Sequence, residues 1–546
     1  MATTTDSPLD GMGSGDEVPV GVSGGLTRRM SLGVLVGMAA APGYCLQATN
    51  EANRASDSVT PEMFDGDLHK AAAYAALKGV TLVTPATTYV IDRAFAPHDI
   101  TWISNGTRIR QTRRGTGGAD PLDSGIFWGS NVRHSGRTYI DMVDTGTNAA
   151  AYRAHSLMGR MDTGEGPSNI VFGELVLEGG HYNINGFAVV GNTHNIRGER
   201  IQCGNSNKIG RLFIAHWGNF NDHNKPGSTY QHVAKGDPTT HPHDIKINEV
   251  FAGDLTCKAS DFLAVVCVSA GYDIEIGEVR GNAFNSGTGG SSIVMIIAGD
   301  LGLAYASPDI REAGMRNIHI RKIVGRSNKV GYQLLGRALY FDKDSTPKPD
   351  EYYLAKIDNI VDYAEMSGAG TLIHEGVSGG NGNGRSHYGT LKLRNFRSAW
   401  SFPNYTRRVS VDYVDSADMQ SVGLQFHQGS GTDQNIWPTD IYVKAARING
   451  TGASETKAEN YAGFIANKIH SLRIDSLIID RLRENAIASG SIGPNASDVT
   501  INQIKLNWTS PKQRVVIKNS AGPNAHIAVG QIVGGRGLVP VSGGIT

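Results

Sequence analysis

The chain has 546 residues, 69 of them Gly, with 19% charged residues and 51 basic against 51 acidic side chains. That balance excludes a strong electrostatic footprint for nucleic acid or an anionic membrane surface, and low charge with abundant Gly favours an all-β chain with many tight turns. Cys45, Cys203, Cys257 and Cys267 show no CxxC spacing, so neither a zinc site nor a disulfide framework is indicated.

Residues 1–45 read as a small N-terminal module. Gly15-Asp16-Glu17-Val18-Pro19-Val20 and Gly24-Gly25-Leu26-Thr27-Arg28-Arg29 are two short β-runs about Ser23-Gly24-Gly25, a good hairpin turn. With Leu32-Gly33, this stretch resembles the short virion-anchor module of phage tail fibres and tailspikes. Thr27-Arg28-Arg29-Met30-Ser31-Leu32-Gly33, with Ala39-Ala40-Ala41-Pro42, also resembles a twin-arginine export signal. The anchor reading uses more of the residues; the export reading implies a secreted or periplasmic enzyme. The apolar run Leu32 to Ala41 is shorter than the about 20 residues that span a bilayer. Residues 46–58, rich in Ala, Asn and Ser, read as a linker.

Residues 59–95 read as a cap and first coil. Leu68 to Lys78 is an Ala-rich amphipathic helix that Gly79 ends in the manner of a C′ glycine. Val80 to Pro85 and Thr88 to Ile91 follow as strands. A helix placed there would cover the open apolar end of a stack of coils.

From residue 96 to 535 one pattern recurs: apolar, any, apolar, two polar residues or Gly, apolar. It reads Ile170-Val171-Phe172-Gly173-Glu174-Leu175 and returns from Ile245, Ile274, Ile318, Leu391, Val409, Leu472, Val499 and Ile527, with looser copies near Asn207, Ala355 and Ile441. Alternation puts i and i+2 on one face of a strand, and the intervening pair bends the chain before i+5 turns inward again. Start-to-start spacings after residue 245 are 29, 44, 73, 18, 63, 27 and 28, the two largest enclosing unmatched coils. Such drifting periods indicate a solenoid rather than a propeller. The expected fold is an all-β, right-handed single-stranded parallel β-helix with a capping α-helix. Residues 536–546 form a Gly-rich tail.

Val59-Thr60-Pro61-Glu62-Met63-Phe64, the helix and the strands to Ile91 resemble the N-terminal cap and first coil of the pectate-lyase-like superfamily. That superfamily is common in polysaccharide-degrading enzymes and phage tailspikes. The resemblance implies a groove along the coils for bacterial surface polysaccharide and a homotrimer. With the N-terminal module it also implies attachment to other tail or baseplate proteins in the virion. No cofactor is expected, and the neutral charge balance and the short apolar run Leu32 to Ala41 give no expectation of nucleic acid or of membrane insertion. Whether the polymer is cleaved, by a hydrolase or a lyase, or only bound by a structural virion component, stays open.

Hydrolysis of a glycosidic bond needs two carboxylates, about 5–5.5 Å apart for retention and about 6.5–9.5 Å for inversion. Asp254 and Asp261 flank Cys257 and are the catalytic candidates, against a plainer role as turn residues bonding their own backbone. The insertion from Trp217 to His243, with Asp222, His223, Tyr230 and His241, suits a sugar-binding rim. Trp217, Tyr230 and His243 are its substrate-binding candidates. Asp342, in the insertion Asp342 to Tyr353, and Glu375, beside the Gly/Asn-rich insertion Gly376 to Tyr388, complete that set. Trp400 and Trp437 are further candidate platforms, with partial burial at coil corners as the plainer reading. A metal at His241 and His243 lacks a third ligand, so none is expected.

Overall fold

Stacking identical positions of successive coils lets each backbone satisfy its hydrogen bonds on the coil before and the coil after. The computed structural model describes residues 57–113, 121–143, 154–160, 163–216, 241–258, 262–297, 314–335, 337–341, 347–354, 356–369, 375–382, 384–402, 406–426, 437–451 and 461–542. These lie in one unit, Ser56–Thr546; Met1–Ala55 form a separate unit outside the described residues, and the expected anchor module falls there. Among the described residues the chain is a β-solenoid of two parallel sheets, one of 17 strands and one of 14. Each coil gives a long strand to the first sheet and a short one to the second. A single antiparallel ribbon, Arg337–Phe341 with Pro347–Leu354, stands apart from both. No described helix is long and apolar enough to cross a membrane.

The one α-helix of the described residues spans Leu68–Lys78. The Asp67 side chain accepts a hydrogen bond from the Lys70 amide, and Gly79 closes the helix at φ 65°. Leu68, Ala71, Ala72 and Ala75 are buried in the same cluster as Val59, Leu82 and Phe95, so the helix lies over the first coil.

The repeat residues stand in register. Ile170, Ile196, Ile245, Ile274 and Ile318 form one inward column, and Val409, Ile441, Leu472, Val499 and Ile527 form another. Asn359 and Ser386 join the two columns. The copy expected from Leu391 is therefore out of phase: Ser386-His387-Tyr388-Gly389-Thr390-Leu391 is the equivalent segment, five residues earlier. The buried polar pair conceals the pattern. The Ser386 hydroxyl donates to Asn359 Oδ1 at 2.6 Å, and Asn359 Nδ2 donates to the Tyr332 hydroxyl at 3.2 Å, so both groups are satisfied inside the core. The looser copy near Asn207 belongs to the second sheet, as the strand Ile209–His216.

The coil at Ile196 escaped the pattern because Gly198 replaces its second apolar residue. A Cβ there would lie 2.1 Å from the Phe172 ring, which fills the space from the previous coil. A second regularity is the residue just ahead of the inward column. Asp99, Asn131, Asn169, Asn195, Asp244, Asp273 and Asn317 all sit at φ between 50° and 60°, a left-handed conformation that Asn and Asp tolerate best. Their side chains link coil to coil: Asn131 to Asp99 at 2.7 Å, Asn169 to Asn131 at 3.0 Å, Asn195 to Asn169 at 2.7 Å.

Over its N-terminal strands the second sheet is buried on both faces. Leu157, Ala188, Ile214, Cys267 and Met295 form an outward column in register and are buried in a cluster separate from the core. The column then turns polar at Gln333, Ser378 and Ser401.

His134 lies in the core against Trp102 and Trp128, with ring centroids 4.4 and 6.0 Å away. Its Nδ1 accepts the Gly173 amide at 3.2 Å, so the Nε2 proton points to Thr138 Oγ1 at 3.0 Å. Burial lowers its pKa to about 3, and the ring is neutral. The unfolded chain takes up a proton at this residue below about pH 6.5 and the folded one does not. The stability contributed by neutral His134 is therefore present above that pH and lost as pH falls towards 3. His134→Gln is expected to flatten the acid limb of melting temperature against pH; an unchanged limb would refute the assignment. Gly198→Ala is expected to cost about 1–3 kcal/mol by overpacking, and Phe172→Leu in the same chain to recover part of it, measured by denaturant unfolding.

Candidate functional site

The outer face of the first sheet is the long continuous surface on which side chains of successive coils line up. Over its N-terminal half the charges cancel locally. Arg137, Glu174, Arg200, Glu249, Glu278 and Lys322 follow one another in register. Arg137 pairs with Glu174 at 2.5 Å, Arg200 with Glu249 at 3.2 Å and Lys322 with Glu278 at 3.3 Å. Arg280 also binds Glu278 at 2.6 Å. Hydrogen bonds from Arg280 and Lys322 outweigh burial and hold the Glu278 carboxyl below its ordinary pKa. A carboxylate fixed by guanidinium or ammonium groups is a poor proton carrier at neutral pH.

The pattern changes at the strands Gly314–Ser327, Lys356–Gly368, Ser386–Arg394 and Arg407–Met419. Here the carboxylates meet histidines. His319 Nε2 lies 3.0 Å from each carboxylate oxygen of Asp362. His387 Nε2 lies 3.6 Å from Asp412 Oδ2. Both pairs use one diagonal geometry: the histidine faces Ile360 or Ser410 on the next strand, and the aspartate follows two residues later. All four side chains are between 29% and 54% exposed, so solvent and a ligand reach them.

Asp362 and Asp412 occupy equivalent positions two strands apart, and the residue between them on the middle strand is Gly389. Strand spacing puts their backbones about 9.5 Å apart. Because Gly389 has no side chain, the space between the two carboxylates is open. A Cβ at Gly389 would lie 2.4 Å from the Asp362 carbonyl oxygen, so close stacking also calls for Gly. Ile360, 37% exposed, lies between His319 and His387 in their column and offers an apolar contact. Further along, the Tyr442 hydroxyl donates to Asp475 at 2.6 Å, and Arg473 binds the same carboxylate at 2.9 Å.

The residues singled out from sequence lie elsewhere. Asp254 is on the second half of the strand His243–Cys257. Its carboxylate accepts from Asn282 Nδ2 at 2.7 Å, and its amide donates to Asn205 Oδ1 at 2.8 Å. Asp254 thus belongs to a side-chain ladder that braces three coils. His243 is sandwiched between His194 and Tyr272, with ring centroids 4.9 and 4.8 Å away and planes within 9°. Arg316 caps Tyr272 from 4.7 Å. The His243 Nδ1 proton is donated to the His241 carbonyl at 3.1 Å, so only the Nε2 edge is left for a ligand. Glu375 opens the strand Glu375–Gly380 of the second sheet and is half-buried. Asp261, Trp217, Tyr230 and Asp342 lie outside the described residues.

Two sequence expectations are corrected. The insertion expected at Gly376 to Tyr388 is mostly strand: Glu375–Gly380 and Ser386–Arg394 join through a short turn. Its glycines serve close stacking, since a Cβ at Gly379 would meet the Leu334 carbonyl oxygen at 1.6 Å. Trp400 and Trp437 are buried, Trp400 against Phe402 and Phe426 and Trp437 against His470, so neither is a platform for a sugar ring. Among the described residues no three His, Cys, Asp or Glu side chains are grouped to hold a metal ion.

No family model matches the chain, and no curated protein or solved structure matches it.

Proposed function

We propose that this chain is a right-handed single-stranded β-helix protein that binds and cleaves a bacterial surface polysaccharide along the outer face of its first sheet. The observation that carries the reading is the Asp362–Gly389–Asp412 arrangement. Two exposed carboxylates with histidine partners flank an open space about 9.5 Å wide at the backbone. Asp412 leans towards the middle strand, to His387, and Asp362 leans the same way, to His319, so the spacing stays near the upper end of the range of about 6.5–9.5 Å for inverting hydrolysis. In such a reaction one carboxyl group protonates the leaving oxygen while the other removes a proton from water on the opposite face of the sugar. Asp362 is held at both oxygens by His319 and is suited to accept the water proton. Asp412, approached at one oxygen by His387, is the second carboxyl group of the pair. Ile360 would support the apolar face of a sugar ring. Asp254 enters this reading as a bracing residue, and His243 and Glu375 as contacts at the rim.

The resemblance of residues 15–33 to a phage tail module supports a place in the virion, as a tailspike or receptor-binding tail protein docked to other tail or baseplate proteins. A homotrimer would add avidity for a repeating polymer. The second reading, an exported hydrolase or lyase, rests on the twin-arginine-like stretch at Thr27 to Gly33. Mass spectrometry of the natural protein separates them: residues near Met1 are retained in the first and removed in the second.

Incubation with capsular polysaccharide is expected to release reducing ends without absorbance from an unsaturated sugar. Asp362→Asn and Asp412→Asn are each expected to slow release by about 10²–10⁴-fold while polymer binding persists. Binding without new ends would make the protein a receptor binder alone. Unsaturated product would replace hydrolysis with elimination.

A further inference from the structure

We propose that Ser410, His387 and Asp412 form a serine-hydrolase relay that cleaves a carboxylic ester, the substrate class being an O-acyl group on a sugar. The sugar part of this statement rests on the glycan reading above; the ester chemistry does not.

Ser410 and Asp412 are two residues apart on the strand Arg407–Met419, so both side chains leave the same face. His387 stands directly opposite Ser410 on the neighbouring strand. Its two ring nitrogens face different partners: Nδ1 lies 2.9 Å from Ser410 Oγ, and Nε2 lies 3.6 Å from Asp412 Oδ2. With the Nε2 proton turned to Asp412, Nδ1 is free to accept the serine proton. The relay is thus a nucleophile, a base and a group that orients the base, recognised by geometry and not by order in the chain. The ring is 42% exposed and Asp412 54% exposed, and Ser410 between them is half-buried, on the face a polymer-borne ester would approach.

The neighbouring pair sharpens the point. His319 and Asp362 repeat the diagonal arrangement, but the residue facing His319 is Ile360. Among the described residues this diagonal histidine–aspartate arrangement is found at His319–Asp362 and at His387–Asp412, and the facing hydroxyl is present at the second. Lys444, exposed and opposite Asp412 on the strand Thr439–Thr451, is a cation on the neighbouring strand for the developing oxyanion.

The reaction balances with water alone. Ser410 Oγ bonds to the acyl carbon as its proton passes to His387 Nδ1, and the carbonyl π electrons move onto oxygen. Collapse breaks the acyl–oxygen bond, and the departing sugar oxygen takes the proton from Nδ1. Water then attacks the acyl-serine, giving its proton to Nδ1. Loss of Ser410 Oγ, reprotonated by His387, releases the carboxylic acid.

The test uses the full chain with p-nitrophenyl acetate, with an O-acetylated capsular polysaccharide, and with a fluorophosphonate followed by peptide mass spectrometry. Hydrolysis above the buffer rate, acetate release and labelling at Ser410 are expected. Ser410→Ala and His387→Ala are each expected to lower ester turnover at least about 10²-fold, with unchanged circular dichroism and melting temperature. Wild-type turnover at the buffer rate, label at another residue, or full activity in folded Ser410→Ala would overturn the relay. The two readings fail separately. Ester cleavage without new reducing ends counts against the glycosidase, and new reducing ends without ester cleavage count against the relay.

Discussion

In-register parallel stacking is the constraint on which everything else in this molecule depends. Every residue of a coil stands about 4.8 Å above its counterpart in the previous one, so each choice of side chain is made against a near-identical environment. Inside, this yields the columns of Ile and Val and the fit of Phe172 into the space left by Gly198. At the bends it yields the left-handed Asn and Asp ladder, in which each side-chain amide satisfies its neighbour instead of the backbone ladder. The same rule admits polar groups to the core if they come as partners, as with Asn359, Ser386 and Asn381, or as a neutral His134 joined to Thr138. An unpaired polar group in those positions would cost about 1–3 kcal/mol.

The constraint also writes the chemistry of the outer face. Opposite charges placed in one column neutralise each other over many coils, as from Arg137 to Lys322. Where the basic partner is histidine in place of Arg or Lys, the pair gains a ring nitrogen that can accept as well as donate a hydrogen bond. That substitution is found at His319 and His387, whose aspartate partners lie two strands apart, and Gly389 keeps the ground between Asp362 and Asp412 clear. Site and solenoid are in this sense one object: the spacing of the carboxylates is the spacing of the strands.

The repeat made most of the fold legible. Eight of the nine strict copies lie on the first sheet at one register, from Ile170 to Ile527, and the helix Leu68–Lys78 was marked by its alanines and by Gly79. The candidate site was not legible, for a related reason. Its carboxylate and histidine sit on coils whose first inward residue is polar, Asn359 and Ser386, so a search for apolar spacing passed over the one and mis-phased the other. Of the residues the sequence favours, Asp254 braces its neighbours through Asn282 and Asn205, and Trp400 packs in the core. One signal was available: Asp or Asn directly ahead of an Ile or Val, as at Asp244-Ile245 and Asn317-Ile318, marks the bend on the coils from Ile100 to Ile318, and Asp358 stands one residue ahead of Asn359.

The central claim is the phase of the coil at Ser386, because it sets which side chains share the outer face. Nitroxide labels at Cys-substituted pairs read it directly through short-range dipolar broadening. Labels at positions 387 and 410 should broaden each other strongly, as neighbours across one strand spacing, and labels at 392 and 410 should not. The reverse result, with 392 close to 410 and 387 far from it, would put Leu391 opposite Val409. It would separate His387 from Asp412 and contradict the account.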